Sequence, residues 1–433
     1  MMSIAMKKLF ALLLLCVSAA VQAGPQIQHW TALSGARVYF IESHALPILD
    51  VQVDFLAGSV YDPPGKSGLA GLTNGLLDSG LKDMDEEKIA GRLVDLGAQL
   101  AGSLDSDRAG LRLRTLSSAT ERNGALDLMA AVLAGPTYPA AVLEREKARH
   151  IAAIQEADTR PDSIAAKRFA AEIYPGHGYG LRSTVDSISA IGRDDLVVFH
   201  ARHYSAANAV VSLIGDISRT EAEAIAQRLT AALPAGEKLA PPPAVSLPEA
   251  KLVRVAHPAS QSHIHVGMPA LRRDDPDYYA LLVGNYTLGG GGFVSRLMQE
   301  VREKRGYAYS VYSYLAPRRL EGPFEIGLQT KRAQAGEALK VVNEVLAKFL
   351  AEGPTAQELK AAKQNLVDGL ALRLDSNAKL LSNLAAIAFY QLPLSYLDDY
   401  PAKVNAVTRE QVTAAFARHV KPEHLVTVVV AAD

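Results

Sequence analysis

The 433-residue chain has one cysteine, Cys16, one tryptophan, and only 6% aromatic residues. A single cysteine excludes an internal disulfide and any multi-thiolate metal site. Charge of one sign is also missing: the formal net charge is −1, which leaves no basic excess to neutralise phosphates and argues against a nucleic-acid partner. Beyond the first two dozen residues no apolar run is long enough to span a bilayer. What remains is a 49% hydrophobic chain, long enough to bury a large core without covalent staples and to form more than one domain.

The N-terminus carries its own signal. Lys7 and Lys8 precede "LFALLLLCVSAAVQA", an apolar run closed by Val21-Gln22-Ala23. This pattern reads as a secretory signal peptide over residues 1–23, with a mature chain from Gly24 that lacks cysteine. A membrane anchor is the rival reading, and the run is short for it. A lipoprotein is the other, but Leu15 stands before Cys16 where processing wants a small residue. The expected product is a soluble periplasmic or secreted protein, with no membrane partner.

The chain is written twice. "ISAIGRDDLVVFHARHYSAANAVVSLIGD" (Ile188–Asp216) resembles "VNAVTREQVTAAFARHVKPEHLVTVVVAAD" (Val404–Asp433). At an offset of 216 residues Arg193 falls on Arg409, and Ala201-Arg202-His203 on Ala417-Arg418-His419. "LAGPT" at Leu133 and "LAEGPT" at Leu350 echo each other too. Such a period is domain duplication rather than a stacked array. Between the copies, "LPAGEKLAPPPAVSLPEA" is proline-rich and reads as an extended spacer. The division expected is an N-terminal domain over 24–235, a linker over 236–250, and a C-terminal domain over 251–433. Two strands in "ARVYFIESHALPILDVQVDFLAGS", two more in "GAQLAGSLDSDRAGLRLRTLS", and long helices over about Ala140–Tyr174 (interrupted near Arg160-Pro161) and Thr355–Leu372 mix without strict alternation. The fold class predicted is α+β: two duplicated domains, each a mixed or antiparallel sheet with helices on one face.

Histidines give no metal site by count. His263 and His265 share one strand face, but two ligands are too few. His200 and His203 share a helix face, and the repetition of "ARH" in both copies points to packing. His29, His44, His150, His177 and His257 are scattered. The run Gly289–Gly292 lacks the Lys-Ser/Thr of a phosphate loop and reads as a flexible or close-packed turn.

Two strings carry a family resemblance: "AGSVYDPPGKSGLA" (Ala57–Ala70) and "LGGGGFVSRLMQEVREKRGYAYSVYS" (Leu288–Ser313). With the duplicated layout they make the chain similar to the pitrilysin/insulinase peptidases, in the short two-domain bacterial form related to mitochondrial processing peptidase. Active members place His-x-x-Glu-His directly after Gly-Leu-Ala; its histidines bind zinc and its glutamate is the general base. The resemblance puts Gly71 and Gly75 at the histidine positions, Asn74 at the base, and Ala153 at the third ligand, with Glu146 in an accessory acidic position. No metal ligand is therefore expected in this chain.

In "VREKRGYAY" the resemblance assigns Arg302 and Tyr309 to the family's Arg/Tyr pair, which binds the scissile carbonyl. Spacing alone favours a solvated helix arginine and a core strand aromatic; the flanking Gly-rich run and "SRLMQEVREK" in register reverse that preference. The function implied is the non-metal subunit of an exported heterodimeric zinc endopeptidase, with zinc in the partner subunit. The substrate would be an unfolded peptide added to a sheet edge, with Ala101–Asp107 as the candidate. The alternatives are a non-catalytic peptide-binding or scaffold protein, a self-sufficient peptidase, and a decayed homodimer.

Overall fold

The computed structural model describes residues 26–431, so the leader read at residues 1–23 lies outside the described residues. Eleven strands form two sheets: β1 (Ile27–Thr31), β2 (Arg37–Glu42), β3 (Ile48–Phe55), β4 (Gln99–Leu104), β5 (Ala109–Leu116) and β6 (Val210–Gly215) in one; β7 (Lys251–Val255), β8 (Gln261–Leu271), β9 (Ala308–Leu315), β10 (Gly322–Lys331) and β11 (Val426–Val430) in the other. Their orders are β1-β2-β6-β3-β5-β4 and β7-β11-β8-β10-β9. In each sheet the last strand of its half slots between two earlier ones, parallel to β2 or β7 and antiparallel to β3 or β8. The two strands read at residues 36–59 are thus β2 and β3, but β6 separates them.

The 216-residue offset holds for helices as well. Helices Ala119–Ala134 and Ala335–Glu352, Ala140–Ala157 and Ala356–Asp368, Arg193–His203 and Arg409–His419 begin at matching positions. The interruption expected near Arg160-Pro161 is present and divides this stretch into two helices, Ala140–Ala157 and Pro161–Ile173. Arg160 is extended (φ −98°, ψ 127°) ahead of Pro161, which opens the second helix at its first position, where a missing N–H does no harm.

That second helix, Pro161–Ile173, and its counterpart Asn377–Tyr390 change sides. The first packs on β8 and β11 of the other half, where Ala165, Phe169 and Ile173 share a core with Val426, Val428 and Val430. The second packs on β2, β3 and β6, where Leu381, Leu384, Ala388 and Phe389 meet Tyr39, Ile41, Val210 and Ile214. Each sheet therefore has its own helices on one face and a helix of the other half on the opposite face. This is why β6 is buried at every residue instead of alternating. Two first-half arginines hold the visiting helix by backbone carbonyls: Arg37 donates to Ala388 O at 3.0 Å in the last turn, a favourable place for a cation, and Arg108 to Ala385 O at 3.1 Å just before it.

Residues 232–250 have no regular structure and are strapped to both halves. Ala206 N donates to Pro234 O, His177 Nε2 to Pro243 O, and His424 Nδ1 to Pro248 O.

Candidate functional site

The helix on which the resemblance sets the zinc-motif positions, Leu69–Gly75, has a defined start. The Asp62 carboxylate accepts the N–H groups of Gly68 and Ala70, both at 2.7 Å, across the Pro63-Pro64-Gly65 turn. Burial outweighs these donors and pushes the Asp62 carboxyl up to about 6. Further along, Asn74 is buried and turned to the sheet. Its Nδ2 donates to Gly110 O at 2.8 Å and to the Tyr204 hydroxyl at 3.2 Å. At the position that the resemblance gives to the general base, the side chain is an amide that braces β5.

Gly75 borders a cleft of about 580 Å³ that Glu86, Arg145, Glu146 and Arg149 share. The acids there are matched by guanidiniums: Arg145 holds Glu86 at 2.7 and 2.8 Å and Glu146 at 3.1 Å, and Arg149 holds Glu146 at 3.0 Å. Burial pulls the Glu146 carboxyl up, yet these two arginines keep it below the usual range. Ala153 is exposed about two turns beyond Glu146. Glycine and alanine have no ligand atom, so the side chains at these positions do not fit a zinc ion.

The histidines are mostly tied into the framework. His200 Nε2 donates to Leu133 O at 2.9 Å, and His203 Nδ1 to Leu56 O at 2.6 Å. Burial lowers both pKa values. His265 Nδ1 meets Glu325 at 2.7 Å under the Phe169 ring, while His263 has its basicity lowered by burial. Among the described residues one further group has metal-like spacing, Asp275, Asp277 and His419. It is an ion-pair cluster: Arg418 binds both oxygens of Asp277 at 2.7 and 2.8 Å, and His419 Nε2 lies 3.1 Å from the same carboxylate.

Arg302 and Tyr309 do come together. A π-helical turn, Met298–Glu303, carries Arg302. Gly306, at φ +63°, then reverses the chain so that Tyr307 N reaches Val301 O at 2.9 Å and β9 starts at Ala308. Only glycine takes that left-handed turn freely. The Arg302 guanidinium ends between two rings, 4.6 Å from the Tyr309 centroid and 4.9 Å from that of Phe293. Its carboxylate neighbour, Glu303, is 3.5 Å away. Tyr309 is 83% exposed, on the free edge of the second sheet. Two aromatic faces hold the cation in one orientation while its N–H donors stay available.

Phe293 was not singled out by sequence; its signal is an apolar Phe-Val pair directly after a glycine run, and both residues are exposed. The glycine run is a close-packed turn. A Cβ on Gly289 would stand 2.4 Å from Ser313 N, so the backbone lies against β9. The candidate peptide edge is also free: β4 ends the first sheet, and its residues 101–104 are exposed or half-buried.

Residues 37–184 match the insulinase (peptidase family M16) model, and residues 190–366 match the peptidase M16 inactive domain model. A crystal structure from Pseudomonas fluorescens, described as a peptidase M16 inactive domain, is 40% identical, with a TM-score of 0.91 over 94% of this chain and 98% of that one. A Helicobacter pylori protein named non-peptidase homolog YmxG is 24% identical over 98% of both chains. The periplasmic protease PqqL of Escherichia coli shares the fold, with a TM-score of 0.81 at 17% identity, over 95% of this chain and 46% of its own.

Proposed function

Since the chain belongs to the insulinase family, peptidase M16, and its aligned zinc positions hold glycine and alanine, we propose that it is the non-metal subunit of an exported heterodimeric zinc endopeptidase. One observation carries the reading: the half-buried Arg302 lies against Tyr309, which is exposed on an edge strand, with no zinc helix of their own to serve. In this role the guanidinium and the phenol hydroxyl donate to a scissile carbonyl as negative charge grows on its oxygen. The zinc belongs to the partner subunit, so no step of the hydrolysis is assigned to metal ligands in this chain. The substrate is an unfolded peptide laid as an added strand along β4 or β9. The division into domains over 24–235 and 251–433 with a linker between is part of the same proposal, as is a periplasmic or secreted location. No described helix is long and apolar enough to cross a membrane, and the PqqL name supports the periplasm.

A scaffold or peptide-binding role is the second reading, favoured by the inactive-domain match and the non-peptidase name of the Helicobacter relative. Co-expression with a zinc-bearing family member, followed by peptide cleavage, separates the two. Under the first reading, Arg302→Ala and Tyr309→Phe each lower turnover by about 10²–10³ in a complex that still assembles. Wild-type cleavage by both variants in an intact complex would remove the catalytic assignment and leave the scaffold.

A further inference from the structure

Two loops of the second half each present a pair of arginines. Arg272-Arg273 follows β8, and Arg318-Arg319 lies between β9 and β10. The backbone clamps the loops together: Arg273 N donates to Arg318 O at 2.7 Å, and Arg272 and Arg318 form an isolated parallel bridge. Like charges this close repel one another unless acids separate them. Only Arg272 has an acid, Asp274, at 3.1 and 3.3 Å.

Among the described residues the side chains of Arg273, Arg318 and Arg319 have neither an ion pair nor a hydrogen bond, and rings surround two of them. Arg273 lies 5.6 Å from the Tyr390 ring, and Arg318 lies 4.6 Å from that of Tyr179. Arg273 Nε and Arg318 Nη1 are buried with no acceptor. A charged donor left dry and unpaired is unusual enough in a folded protein to need a cause.

Arg272, Arg273 and Arg319, though not Arg318, line a cleft of about 150 Å³ whose other walls are Phe389, Tyr390, Gln391 and Asp274, the acid already paired with Arg272. Asp107 lies close by, but its oxygens are taken by the Tyr179 and Tyr390 hydroxyls and by the Arg319 N–H. We infer that this cleft is a binding site for a small oxyanion, a carboxylate or a phosphate, with Arg273 and Arg319 as its donors. Guanidinium forks match the paired oxygens of both groups, and the volume suits a head group rather than a nucleotide.

The cleft also lies where two of the sheet edges, β4 and β9, end. β4 runs into the turn that holds Asp107, the acceptor of Arg319 N, and β9 runs into the Arg318-Arg319 loop. A peptide extended along either edge can bring a carboxylate to it. That extension rests on the peptide reading above; the anion site does not.

Calorimetric titration of the full mature chain tests both parts. The probes are inorganic phosphate, and an alanine peptide with either a free or an amidated C-terminus. Phosphate is expected to bind one saturable site, about tenfold or more weakly in Arg319→Gln and in Arg273→Gln, and more weakly as salt rises. Arg273→Lys keeps the charge without the fork and should fall between, which covers a glutamine variant that misfolds. No saturable phosphate binding by the folded wild type, or wild-type affinity in both glutamine variants at an unchanged melting temperature, overturns the site. Competition by the free-acid peptide but not the amide supports peptide anchoring. Phosphate binding without such competition keeps the site and removes the anchoring. None of these readouts involves Arg302 or cleavage, so failure of the peptidase reading leaves them distinct.

Discussion

Removing the Asp107 carboxylate is expected to loosen both halves of the molecule together. The group is buried and takes three donors from three segments: the hydroxyl of Tyr179, the hydroxyl of Tyr390 at 2.8 Å, and the backbone N–H of Arg319 at 2.9 Å. Tyr179 follows the Pro161–Ile173 helix, Tyr390 ends the helix lent to the first sheet, and Arg319 joins β9 to β10. A hydrogen bond to a charged group contributes about 1.5–3 kcal/mol, and a buried donor left bare costs a further amount of similar size. In Asp107→Ala the hydroxyl of half-buried Tyr390 can turn to water, whereas that of the fully buried Tyr179 cannot, so the loss is set at about 4 kcal/mol. Asp107→Asn keeps one acceptor oxygen and should lose about 1–2 kcal/mol. Unfolding entropy of about 2.1 cal/mol/K per residue over the chain gives roughly 0.9 kcal/mol/K, so the alanine variant should melt about 4 °C lower. Scanning calorimetry reads this directly. The exchanged helices couple the halves, so one peak is expected in both proteins. A shift below about 1 °C in Asp107→Ala, or a wild-type trace that separates into two independent peaks, would refute the reasoning.

Two further outcomes are expected. The Asp62 carboxyl is raised to about 6 by burial, so the native state holds a proton that the unfolded chain has released; this contribution is present at acid pH and is lost as pH climbs from about 4 to about 6. The stability difference between wild type and Asp62→Asn, measured by urea unfolding, should therefore change across that window, and a flat difference would contradict it. The second concerns metal. With Gly71, Gly75 and Ala153 at the ligand positions, the purified mature chain should carry no stoichiometric zinc by elemental analysis and should melt at the same temperature in excess chelator. One tightly held zinc per chain, whose removal lowers the melting temperature, would overturn the alignment of the motif.

The duplication was legible because its most repeated residues have repeated jobs. His203 and His419, the histidines of both "ARH" strings, donate through Nδ1 to carbonyls at the ends of matching strands, Leu56 O and Ala270 O. A side chain with a fixed backbone partner keeps its identity where a merely apolar one drifts. The proximity of Arg302 and Tyr309 was legible for a different reason. The order that joins them, a helical turn, a left-handed glycine and a strand, is local, and local geometry survives in spacing. Helix exchange was not legible. The apolar stripe of Pro161–Ile173 says that one face is buried but cannot name the sheet that buries it. The oxyanion cleft was hidden for the same reason. Each Arg-Arg pair reads as solvated charge until tertiary structure sets the two loops side by side.

The exchange also bears on how this chain could move. The proline-rich segment looks like a hinge in sequence, yet a hinge there would have to draw each lent helix off its host sheet. Phe169, Ile173, Leu381, Leu384 and Phe389 are all buried in those two contacts. At about 1.5–3 kcal/mol for each large side chain, opening would cost roughly 8–15 kcal/mol before any hydrogen bond is counted. Arg37, Arg108 and Asp107 would each lose partners as well. An open state at that height is populated below about one molecule in 10⁵, too sparse for a step repeated at every turnover. The two halves therefore move as one body, and in the heterodimer proposed above a chamber for peptide would have to open between the two subunits rather than within this chain.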